Sequence, residues 1–424
     1  MYLIRKISMF AAVFLTMSSS ITFAQETAPK EWLVWLDNLK KEMISRGISP
    51  KTIDKAYGDN TYFHEKPEVI AKDNAQKEFI LTSSDYVNKL VSAERVKKAR
   101  EHYKKLQKKY KTLEKEYDVP LHYLTAFWAI ETNFGQNKGK YHLIDGLTNL
   151  SYKNRRANFF KNELYNVLKI MEKHELDNEK LMGSWAGAMG HFQFMPSTYN
   201  VYAVDYDKDG FVDIWDSFDD AIASASNYLN SLGWKSAEPW GFKIELPWNF
   251  NYELSGYNVE KSVKEWQEIG VKVLNDKDVE FSSDIKASII IPDGKKGYAY
   301  MVFPNFKRIM IWNRSENYAL AVSKLADYTN SSDKYKPIQY ANRYAVTNNE
   351  VKKVQAFVNK VLHTKLKEDG ILGVKTRNAV KLLQKKAKMT QDGYPDYQLL
   401  NKIEQYDTKL GFAVPVQPVK VLQK

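Results

Sequence analysis

The sequence predicts a mainly α protein with a small β-containing region and a separate C-terminal helical unit. Apolar residues recur at helical spacing through most of residues 30–130, as at Trp32 and Leu36. Residues 240–312 instead carry Pro, Gly and short runs of β-type residues. A polar stretch at 331–346 then precedes about 60 residues that have a helical pattern of their own. These observations predict two folded units joined by a linker.

Local signals predict the individual elements. The pattern of Ser92–Tyr117 predicts one long charged helix, and Pro120 suits the first turn of a helix at Leu121–Glu131. No base-reading motif accompanies the lysines of the first helix, so we expect a solvated face and no nucleic-acid partner. Further helices are predicted at Ala221–Leu232 and Tyr318–Tyr328, and strands at Ala287–Ile291 and Tyr298–Phe303.

Composition excludes several classes of protein. The chain has 424 residues, of which 44% are hydrophobic, and it carries 63 Lys and Arg against 51 Asp and Glu, a formal net charge of +12. A wholly disordered chain would be poorer in apolar residues. The absence of Cys excludes disulfide scaffolds and thiolate metal sites. The positive charge favours an anionic partner such as a cell wall or a membrane surface.

The N-terminus has the pattern of a secretory signal peptide. Arg5 and Lys6 precede the apolar run Ile7–Met17, and small residues lead up to Ala24. We expect cleavage after Ala24, because the run is shorter than the roughly 20 residues that span a membrane. The alternative is a retained anchor. With no Cys to lipidate, the sequence predicts an exported periplasmic protein that is soluble, is not a lipoprotein and has no stable membrane insertion after cleavage.

Glu131 is the first candidate for chemistry. Phe127 and Trp128 lie four and three residues before it, on the same face of the predicted helix. Apolar surroundings disfavour the charged form of a carboxyl group, so Glu131 can stay protonated near neutral pH. Such a group can donate a proton to a leaving oxygen. From these residues alone, an ordinary Glu at a helix end remains the alternative.

A Gly-rich segment at 183–199 is the second candidate. Its small residues let the backbone approach a ligand closely. Aromatic and Met side chains offer apolar walls, while Ser184 and Gln193 supply hydrogen-bonding groups. This mixture suits a sugar, which has apolar faces and polar edges. A tightly packed loop without a ligand is the alternative.

These two segments resemble a known family. Ala129-Ile-Glu131-Thr-Asn-Phe-Gly135 and Ser184-Trp-Ala-Gly-Ala-Met-Gly-His-Phe-Gln193-Phe-Met-Pro-Ser197 resemble the catalytic domain of the membrane-bound lytic murein transglycosylase B family. The similarity continues through 205–234 and returns at 311–322, so it covers most of 30–328. It implies a lysozyme-like helical catalytic domain with added lobes.

The resemblance implies cleavage of the β-1,4 bond between N-acetylmuramic acid and N-acetylglucosamine of peptidoglycan without water. Glu131 would be the single acid/base: it would protonate the glycosidic oxygen and then deprotonate the muramic acid C6 hydroxyl, which closes a 1,6-anhydro ring. Neither motif holds the second carboxylate that a hydrolase normally needs. No cofactor is implied for catalysis. The residues implied to line the sugar cleft are Ser184, Gln193, Tyr228, Trp312, Asn313 and Tyr318.

Trp312 departs from the family pattern, which usually has Tyr at this position. A Trp ring can stack on a sugar face, but it lacks the phenol hydroxyl. We therefore expect stacking at Trp312 without the hydrogen bond that a Tyr would make.

An Asp-rich loop at 205–216 has the spacing of an EF-hand. Carboxylates fall at positions 1, 3 and 5, and Gly210 at position 6 permits the sharp bend around a hard cation. Position 12 is Asp216, shorter than the usual Glu, and the resemblance implies that Asp220 can close the loop instead. We expect a structural calcium site; a hydrogen-bonded Asp-Gly turn is the alternative. The candidate ligands are Asp205, Asp207, Asp209, Phe211, Asp216 and Asp220.

The last unit resembles the three-helix peptidoglycan-binding domain of wall enzymes. The resemblance rests on Asp369-Gly-Ile-Leu-Gly373 with Thr376 and Arg377, and on Asp392-Gly393. The two Asp-Gly pairs suggest a weak internal repeat. A small helical bundle without a ligand is the alternative.

The sequence thus predicts a signal peptide at 1–24, a catalytic domain at 25–330, a linker at 331–346, a peptidoglycan-binding domain at 347–404 and a tail at 405–424. The predicted function is a periplasmic lytic transglycosylase whose partner is the peptidoglycan glycan strand. The alternatives are a muramidase that uses water and a catalytically idle wall-binding scaffold. No protein partner follows from the sequence.

Overall fold

The computed structural model describes residues 30–58, 81–154, 156–274, 283–339 and 345–409. The predicted signal peptide and most of the predicted tail lie outside these residues. The described chain forms sixteen α-helices and seven short strands, so the predicted mainly α fold class is confirmed. Among the described helices, none is both long enough and apolar enough to cross a membrane.

The helices, numbered in chain order, are α1 Lys30–Ser45, α2 Pro50–Tyr57, α3 Ser83–Leu90, α4 Ala93–Lys109, α5 Lys111–Tyr117, α6 Leu121–Thr132, α7 Leu143–Ser151, α8 Ala157–Lys173, α9 Pro196–Tyr202, α10 Phe218–Ser231, α11 Val263–Glu268, α12 Pro304–Trp312, α13 Glu316–Thr329, α14 Asn348–Leu362, α15 Val374–Lys386 and α16 Tyr397–Lys409. The strands are β1 Tyr141–His142, β2 Met182–Gly183, β3 Gly241–Glu245, β4 Lys261–Ser262, β5 Lys272–Val273, β6 Lys286–Ile290 and β7 Ala299–Val302.

Helix α6 is the centre of the largest apolar core. Leu121, Leu124, Phe127 and Ala129 are each fully buried, so the helix is covered on nearly all sides. A helix that is apolar all round belongs in the interior of a protein. Its neighbours α4 and α13 pack along it, and this packing places the end of α6 deep among the other helices.

The long helix that the sequence predicts over Ser92–Tyr117 is in fact two helices. Tyr110 interrupts it with φ −118° and ψ 22°, ending α4 and preceding α5. The Tyr110 ring is buried, packs on Phe218 at 5.9 Å between centroids, and donates its hydroxyl hydrogen to Asp219. The prediction was wrong because this anchor lies more than 100 residues away in the chain and leaves no local signal.

The β-containing region is a five-stranded antiparallel sheet in the order β4-β6-β7-β3-β5. Its own core includes Trp266, Met301 and Phe303, all buried. The capping box of Ser262 and Glu265 starts α11, which packs against β4. The predicted strand at 287–291 corresponds to β6, shifted by one residue, and the predicted strand at 298–303 corresponds to β7, which is one residue shorter at each end.

The C-terminal unit consists of α14, α15 and α16 around a separate core. The suggested internal repeat is visible in two turns that are built alike. Gln355 donates to Asp369 at 3.0 Å and accepts from the Gly370 N–H at 2.8 Å. In the second turn, Gln384 donates to Asp392 at 2.7 Å and accepts from the Gly393 N–H at 2.9 Å. Helix α16 continues to Lys409, five residues beyond the predicted end of the unit at 404.

The C-terminal unit is docked on the sheet region by polar contacts. Arg377 donates to the Pro292 carbonyl at 2.7 Å, and Lys385 pairs with Glu253 at 2.9 Å. The carboxylate of Asp392 accepts from the Lys295 N–H at 2.8 Å. Lys381 donates to the Tyr252 carbonyl at 3.0 Å.

The described part of the linker is also attached to the rest of the protein. Asn88 donates to the Ile338 carbonyl at 2.8 Å and accepts from the Ile338 N–H at 2.8 Å. The Tyr328 hydroxyl donates to the Lys336 carbonyl at 3.0 Å. Residues 331–339 therefore follow the surface of the preceding domain.

Candidate active site

Glu131 lies in the last turn of α6. Two consecutive residues after the helix, Asn133 at φ 50° and Phe134 at φ 61°, adopt the left-handed conformation, and Gly135 follows at φ 81°. A non-Gly residue in this region costs roughly 1–3 kcal/mol unless its surroundings impose it. Here Thr132 imposes it, because its hydroxyl donates to the His191 carbonyl at 2.8 Å and accepts from the Gly135 N–H at 2.9 Å. The turn fixes Glu131 against the Gly-rich segment.

The carboxyl group of Glu131 has a strongly perturbed pKa. Burial raises it from an ordinary value of 4.5 to about 7, while hydrogen bonds from the Tyr318 hydroxyl and the Trp312 indole lower it in part. Desolvation thus outweighs two donors that favour the anion. At neutral pH the protonated and ionised forms are both well populated. Trp312 therefore retains a hydrogen-bonding role, through its indole N–H, that we did not expect from the sequence.

Tyr318 reaches Glu131 from the first turn of α13. The Ser315 hydroxyl accepts the Tyr318 N–H at 3.2 Å and caps the helix, as Ser commonly does at an N-cap. The Tyr318 side chain is buried and donates its hydroxyl hydrogen to Glu131 Oε1. The sequence separation of this pair is 187 residues.

Aromatic rings form a wall beside the carboxyl group. The Trp312 ring lies 4.6 Å from Phe127, 5.4 Å from Phe194 and 5.1 Å from Tyr228, measured between centroids. Tyr228 in turn lies 4.6 Å from Tyr202. Trp312 and Tyr228 are half-buried, so ring surface remains open to a ligand. Ring faces of this kind suit the apolar face of a pyranose.

Ser184 and Gln193 belong to the tight turns of the Gly-rich segment. The Ser184 hydroxyl accepts the Ala188 N–H at 3.0 Å. Gln193 has φ 51°, and its amide donates to the Gly190 carbonyl at 3.0 Å and the Lys138 carbonyl at 3.2 Å. Both side chains are half-buried and brace the loop that carries Phe194 into the aromatic wall.

Glycine is required where this loop passes its neighbours. Gly190 has φ +68°, and a Cβ there would lie 2.4 Å from the Ile214 carbonyl oxygen. Any larger residue would therefore displace the loop from the Asp-rich segment behind it.

Asn313 is exposed and ends α12 directly after Trp312. Its N–H donates to the Ile309 carbonyl at 3.2 Å, and its own carbonyl accepts the Ser315 N–H at 2.7 Å. Asn313 therefore connects the two helices that carry Trp312 and Tyr318.

Tyr86 on α3 is a site residue that sequence reasoning missed. Its pKa is raised by burial and by the nearby charge of Glu131, and its charge acts in turn on Tyr318. The local sequence Ser-Ser-Asp-Tyr-Val-Asn-Lys-Leu has no feature that marks a site. The only available signal was an aromatic residue with a hydroxyl in a short amphipathic helix.

The Asp-rich loop gathers three carboxylates. Oxygens of Asp205, Asp207 and Asp209 lie within 4.8 Å of one another. The Gly210 N–H donates to Asp205 Oδ2 at 2.9 Å, whereas Asp205 Oδ1 is buried without a hydrogen-bond partner. A buried acceptor left without a donor is costly unless a cation or a water meets it. These three acids therefore fit a hard cation, which prefers oxygen ligands.

The other predicted ligands have different surroundings. Asp220 is fully buried, and it accepts backbone N–H groups from Tyr206 at 2.7 Å and Asp213 at 2.8 Å, so it fastens the two ends of the loop. Asp216 is exposed and lies 3.4 Å from Lys138. Phe211 donates its N–H to Asp209 at 2.8 Å and can offer only its backbone carbonyl.

Comparison with known protein families identifies the family of this chain. The chain matches the transglycosylase SLT domain family over residues 31–327 and a peptidoglycan binding domain family over residues 347–403. It belongs to the transglycosylase SLT domain family. The relatives described next confirm the predicted resemblance to lytic murein transglycosylase B.

The membrane-bound lytic murein transglycosylase B of Escherichia coli is 33% identical over 213 residues, which are 49% of this chain and 56% of that protein. The chain thus matches little more than half the length of this curated relative. A crystal structure of SltB3 from Pseudomonas aeruginosa in complex with NAG-anhNAM-pentapeptide is 32% identical with a TM-score of 0.80, and the match covers 88% of this chain and 100% of the chain in that structure. A structure of the E. coli lytic transglycosylase Slt35 in complex with calcium is 26% identical with a TM-score of 0.60, over 69% of this chain and 91% of Slt35.

Proposed function

We propose that this protein is a lytic transglycosylase of peptidoglycan. It cleaves the β-1,4 bond between N-acetylmuramic acid and N-acetylglucosamine and leaves 1,6-anhydro-muramic acid ends. Family membership supports the class of reaction. So do the ligands of the SltB3 structures, named NAG-anhNAM-pentapeptide and NAG-NAM-pentapeptide, which include an anhydro sugar and a peptide.

The observation that carries the proposal is a single carboxyl group with a pKa of about 7 and no acidic partner. Burial raises the pKa of Glu131, hydrogen bonds from Tyr318 and Trp312 lower it in part, and the charge of no other described acid is among the causes. A hydrolase needs a second carboxylate as nucleophile or base, about 5–10 Å from the first. An internal hydroxyl held near the reacting carbon by the sugar ring replaces that group.

The residues around Glu131 suit both halves of this reaction. The protonated Glu131 donates its proton to the glycosidic oxygen as the bond breaks. The Tyr318 hydroxyl and the Trp312 indole then stabilise the resulting carboxylate in a site that otherwise disfavours charge. That carboxylate accepts the proton of the C6 hydroxyl as the hydroxyl oxygen bonds to C1. The proton returns to Glu131, so the enzyme needs no water and no cofactor.

Mass spectrometry of the muropeptides released from sacculi by the purified protein tests this function. Anhydro ends are lighter than reducing ends by one water. We expect anhydro products throughout the reaction. Predominantly reducing ends would assign the protein to the muramidases that use water, and the absence of any release would favour a wall-binding scaffold.

The proposed place of action is the periplasm. The support is the basic residues Arg5 and Lys6, the apolar run Ile7–Met17 and the small residues before Ala24. Mass spectrometry of the N-terminus of protein recovered from a periplasmic extract should identify Gln25 as the first residue. Recovery of the intact N-terminus in the membrane fraction would instead indicate a retained anchor.

We also propose a structural calcium ion in the Asp-rich loop. Asp205, Asp207 and Asp209 would hold it with their carboxylates, and Phe211 with its carbonyl. The buried, unpartnered Asp205 Oδ1 supports this assignment, as does the calcium named for the Slt35 structure. The ion would neutralise three crowded carboxylates and stabilise the loop behind Gly190. It would take no part in the proton transfers.

A further inference from the structure

A second cavity lies apart from Glu131, where residues 335–339 cross the sheet region. Its volume is about 330 Å³, within the range of roughly 300–1,000 Å³ that is typical of small-ligand sites. Its walls come from α3, β3, β7, α13 and the described part of the linker. The cavity is therefore built from four separate segments of the chain, within residues 87–91, at 243, within 298–300 and within 324–339.

The cavity and the active site use different residues of the same two helices. On α3, Tyr86 faces the charge of Glu131, whereas Asn88 lines the cavity. On α13, Tyr318 binds Glu131, whereas Lys324 lines the cavity. Six residues of helix rise about 9 Å, so a ligand in this cavity does not occupy the catalytic position.

The charged groups of the cavity are all positive. Lys243, Lys324 and Lys336 line it, and its lining includes no Asp or Glu. The Lys243 ammonium lies 3.5 Å from the centroid of the Tyr298 ring, and burial together with the charge of Lys324 lowers the Lys243 pKa. Lys324 is paired at 3.5 Å with Asp327, which is not part of the lining and also accepts from the Trp240 indole. Lys243 is thus a partly desolvated cation without an acidic partner in the cavity.

Tyrosine is the commonest residue type in the lining. Tyr298, Tyr300, Tyr328 and Tyr335 line the cavity, and the last two rings meet edge to face at 5.3 Å. Gln339 adds an amide group, whereas the amide of Asn88 is bonded to the backbone of Ile338. Rings and an amide suit a peptide, which has apolar side chains and amide hydrogen-bonding groups. The lysines would also attract a phosphate, but a phosphate has no apolar surface on which the rings could pack.

We propose that this cavity binds the carboxylate end of a short peptide of the kind carried by peptidoglycan. The carboxylate lies between Lys243 and Lys324, and the tyrosine rings pack on the peptide side chains. This inference rests on the proposed function for the identity of the polymer. Because the cavity lies away from Glu131, it can hold the peptide of a wall strand while the sugar that carries this peptide stays outside the active site.

Isothermal titration of the full chain with a synthetic pentapeptide, L-Ala-γ-D-Glu-L-Lys-D-Ala-D-Ala, tests the proposal. We expect one binding site, with an affinity at least about tenfold weaker in Lys243→Gln and in Lys324→Gln, because each loses a charged donor. The matched control is Lys264→Gln, which removes an exposed lysine of the same sheet region. The C-terminal amide of the peptide should also bind less tightly to wild type.

Three results would overturn the proposal: no binding of the peptide at millimolar concentration, equal binding by wild type and both cavity variants, or binding of inorganic phosphate but not of peptide. Glu131→Gln should bind the peptide like wild type. If wild type binds the peptide but releases nothing from sacculi, the proposed function fails while the cavity assignment stands. Melting curves of both lysine variants, matched to wild type, exclude unfolding as the cause of a loss.

Discussion

In the proposed reaction Glu131 donates a proton and then accepts one, and its neighbours determine how readily it does each. Burial favours the neutral acid, while Tyr318 and Trp312 favour the anion. The balance gives a pKa of about 7. A Brønsted acid/base works best with a pKa near the operating pH, because both protonation states are then accessible.

Replacing Glu131 by Gln should abolish turnover while preserving the fold. Gln has the same shape but no transferable proton. General acid–base catalysis contributes roughly 10²–10⁴-fold, and here one group serves both steps, so the loss should reach at least the upper end of this range. Muropeptide release from sacculi measures the loss. Sacculus binding and melting temperature serve as controls, and turnover near that of wild type would rule out Glu131 as the acid/base.

The pH dependence of turnover should reflect the same residue. The rate should fall as pH rises through about 7, because the protonated acid is then lost. In Tyr318→Phe the carboxylate loses a hydrogen bond that lowers its pKa, so the pKa rises and the fall moves to higher pH. A pH–rate profile with a soluble glycan measures the shift.

Tyr86→Phe is the matched control for this experiment. The charge of Glu131 raises the pKa of Tyr86, but no hydrogen bond between the two side chains is described. The position of the fall should stay close to that of wild type in this variant. An unmoved fall in Tyr318→Phe would mean that the hydroxyl does not set the pKa of the acid.

Sequence reasoning found the centre of the site but not all of its residues. Glu131 was predicted because Phe127 and Trp128 are local neighbours, and local neighbours can be read from helical spacing. The indole hydrogen bond of Trp312 could not be predicted, because it depends on how α12 ends relative to α6. Tyr86 was missed for the same reason, since the packing of α3 against α13 brings it to Glu131.

At the scale of elements, the Asp-rich loop is predicted to link cation binding to stability. Millimolar calcium should raise the melting temperature of wild type, and a chelator should lower it. A ligand that binds the folded state alone stabilises it by RT ln(1 + [L]/Kd), about 2.7 kcal/mol at a hundredfold excess over Kd. Asp205→Asn with Asp209→Asn should remove most of this response. Magnesium should have a smaller effect, because it prefers octahedral, water-rich sites.

The variant Asp220→Asn distinguishes the stability that comes from cation binding from the stability that comes from hydrogen bonds within the loop. Asp220 accepts backbone N–H groups from Tyr206 and Asp213. Its loss should therefore lower the melting temperature even in the presence of chelator. If calcium and chelator leave the wild-type melting curve unchanged, the loop is a hydrogen-bonded turn and not a cation site.

The break at Tyr110 shows that the end of a helix cannot be predicted from local sequence when a distant contact causes it. Helical spacing continues through Val96, Leu106 and Leu113, so local signals favour one helix. The contact that stops it, from Tyr110 to Asp219, joins distant segments. By contrast, α6 was predicted to within one residue, because Pro120 marks its start locally. Helix α13 begins two residues before the predicted Tyr318 and ends one residue after the predicted Tyr328.

At the scale of the whole molecule, the C-terminal unit is a docked part of the structure. Deleting 347–424 should weaken sacculus binding but leave turnover of soluble glycan fragments largely intact, since Glu131 and its partners lie between residues 86 and 318. A module held next to the enzyme raises its effective concentration at an insoluble polymer. Equal pelleting of the full and shortened proteins with sacculi would contradict this role.

Arg377→Met with Lys381→Met is the matched variant for the deletion. It removes the bonds to Pro292 and Tyr252 but keeps the C-terminal unit attached. We expect a lower melting temperature or a second transition, with sacculus binding retained. The sequence predicted this unit but not its docking, because the contacts involve surface residues of both partners.

The distance in sequence between Glu131 and Tyr318 has a consequence for biosynthesis. Of the two groups that hydrogen-bond Glu131, one is 181 residues and the other 187 residues further along the chain. A nascent chain or a proteolytic fragment that ends before Trp312 has the acid but lacks both donors and much of the apolar cover. In such a chain the carboxyl group returns towards the value of about 4.3 found in unstructured peptides and is ionised at neutral pH. An unfinished or unfolded copy therefore lacks the protonated carboxyl group at neutral pH, so the proposed acid forms only after the chain has folded as far as Tyr318.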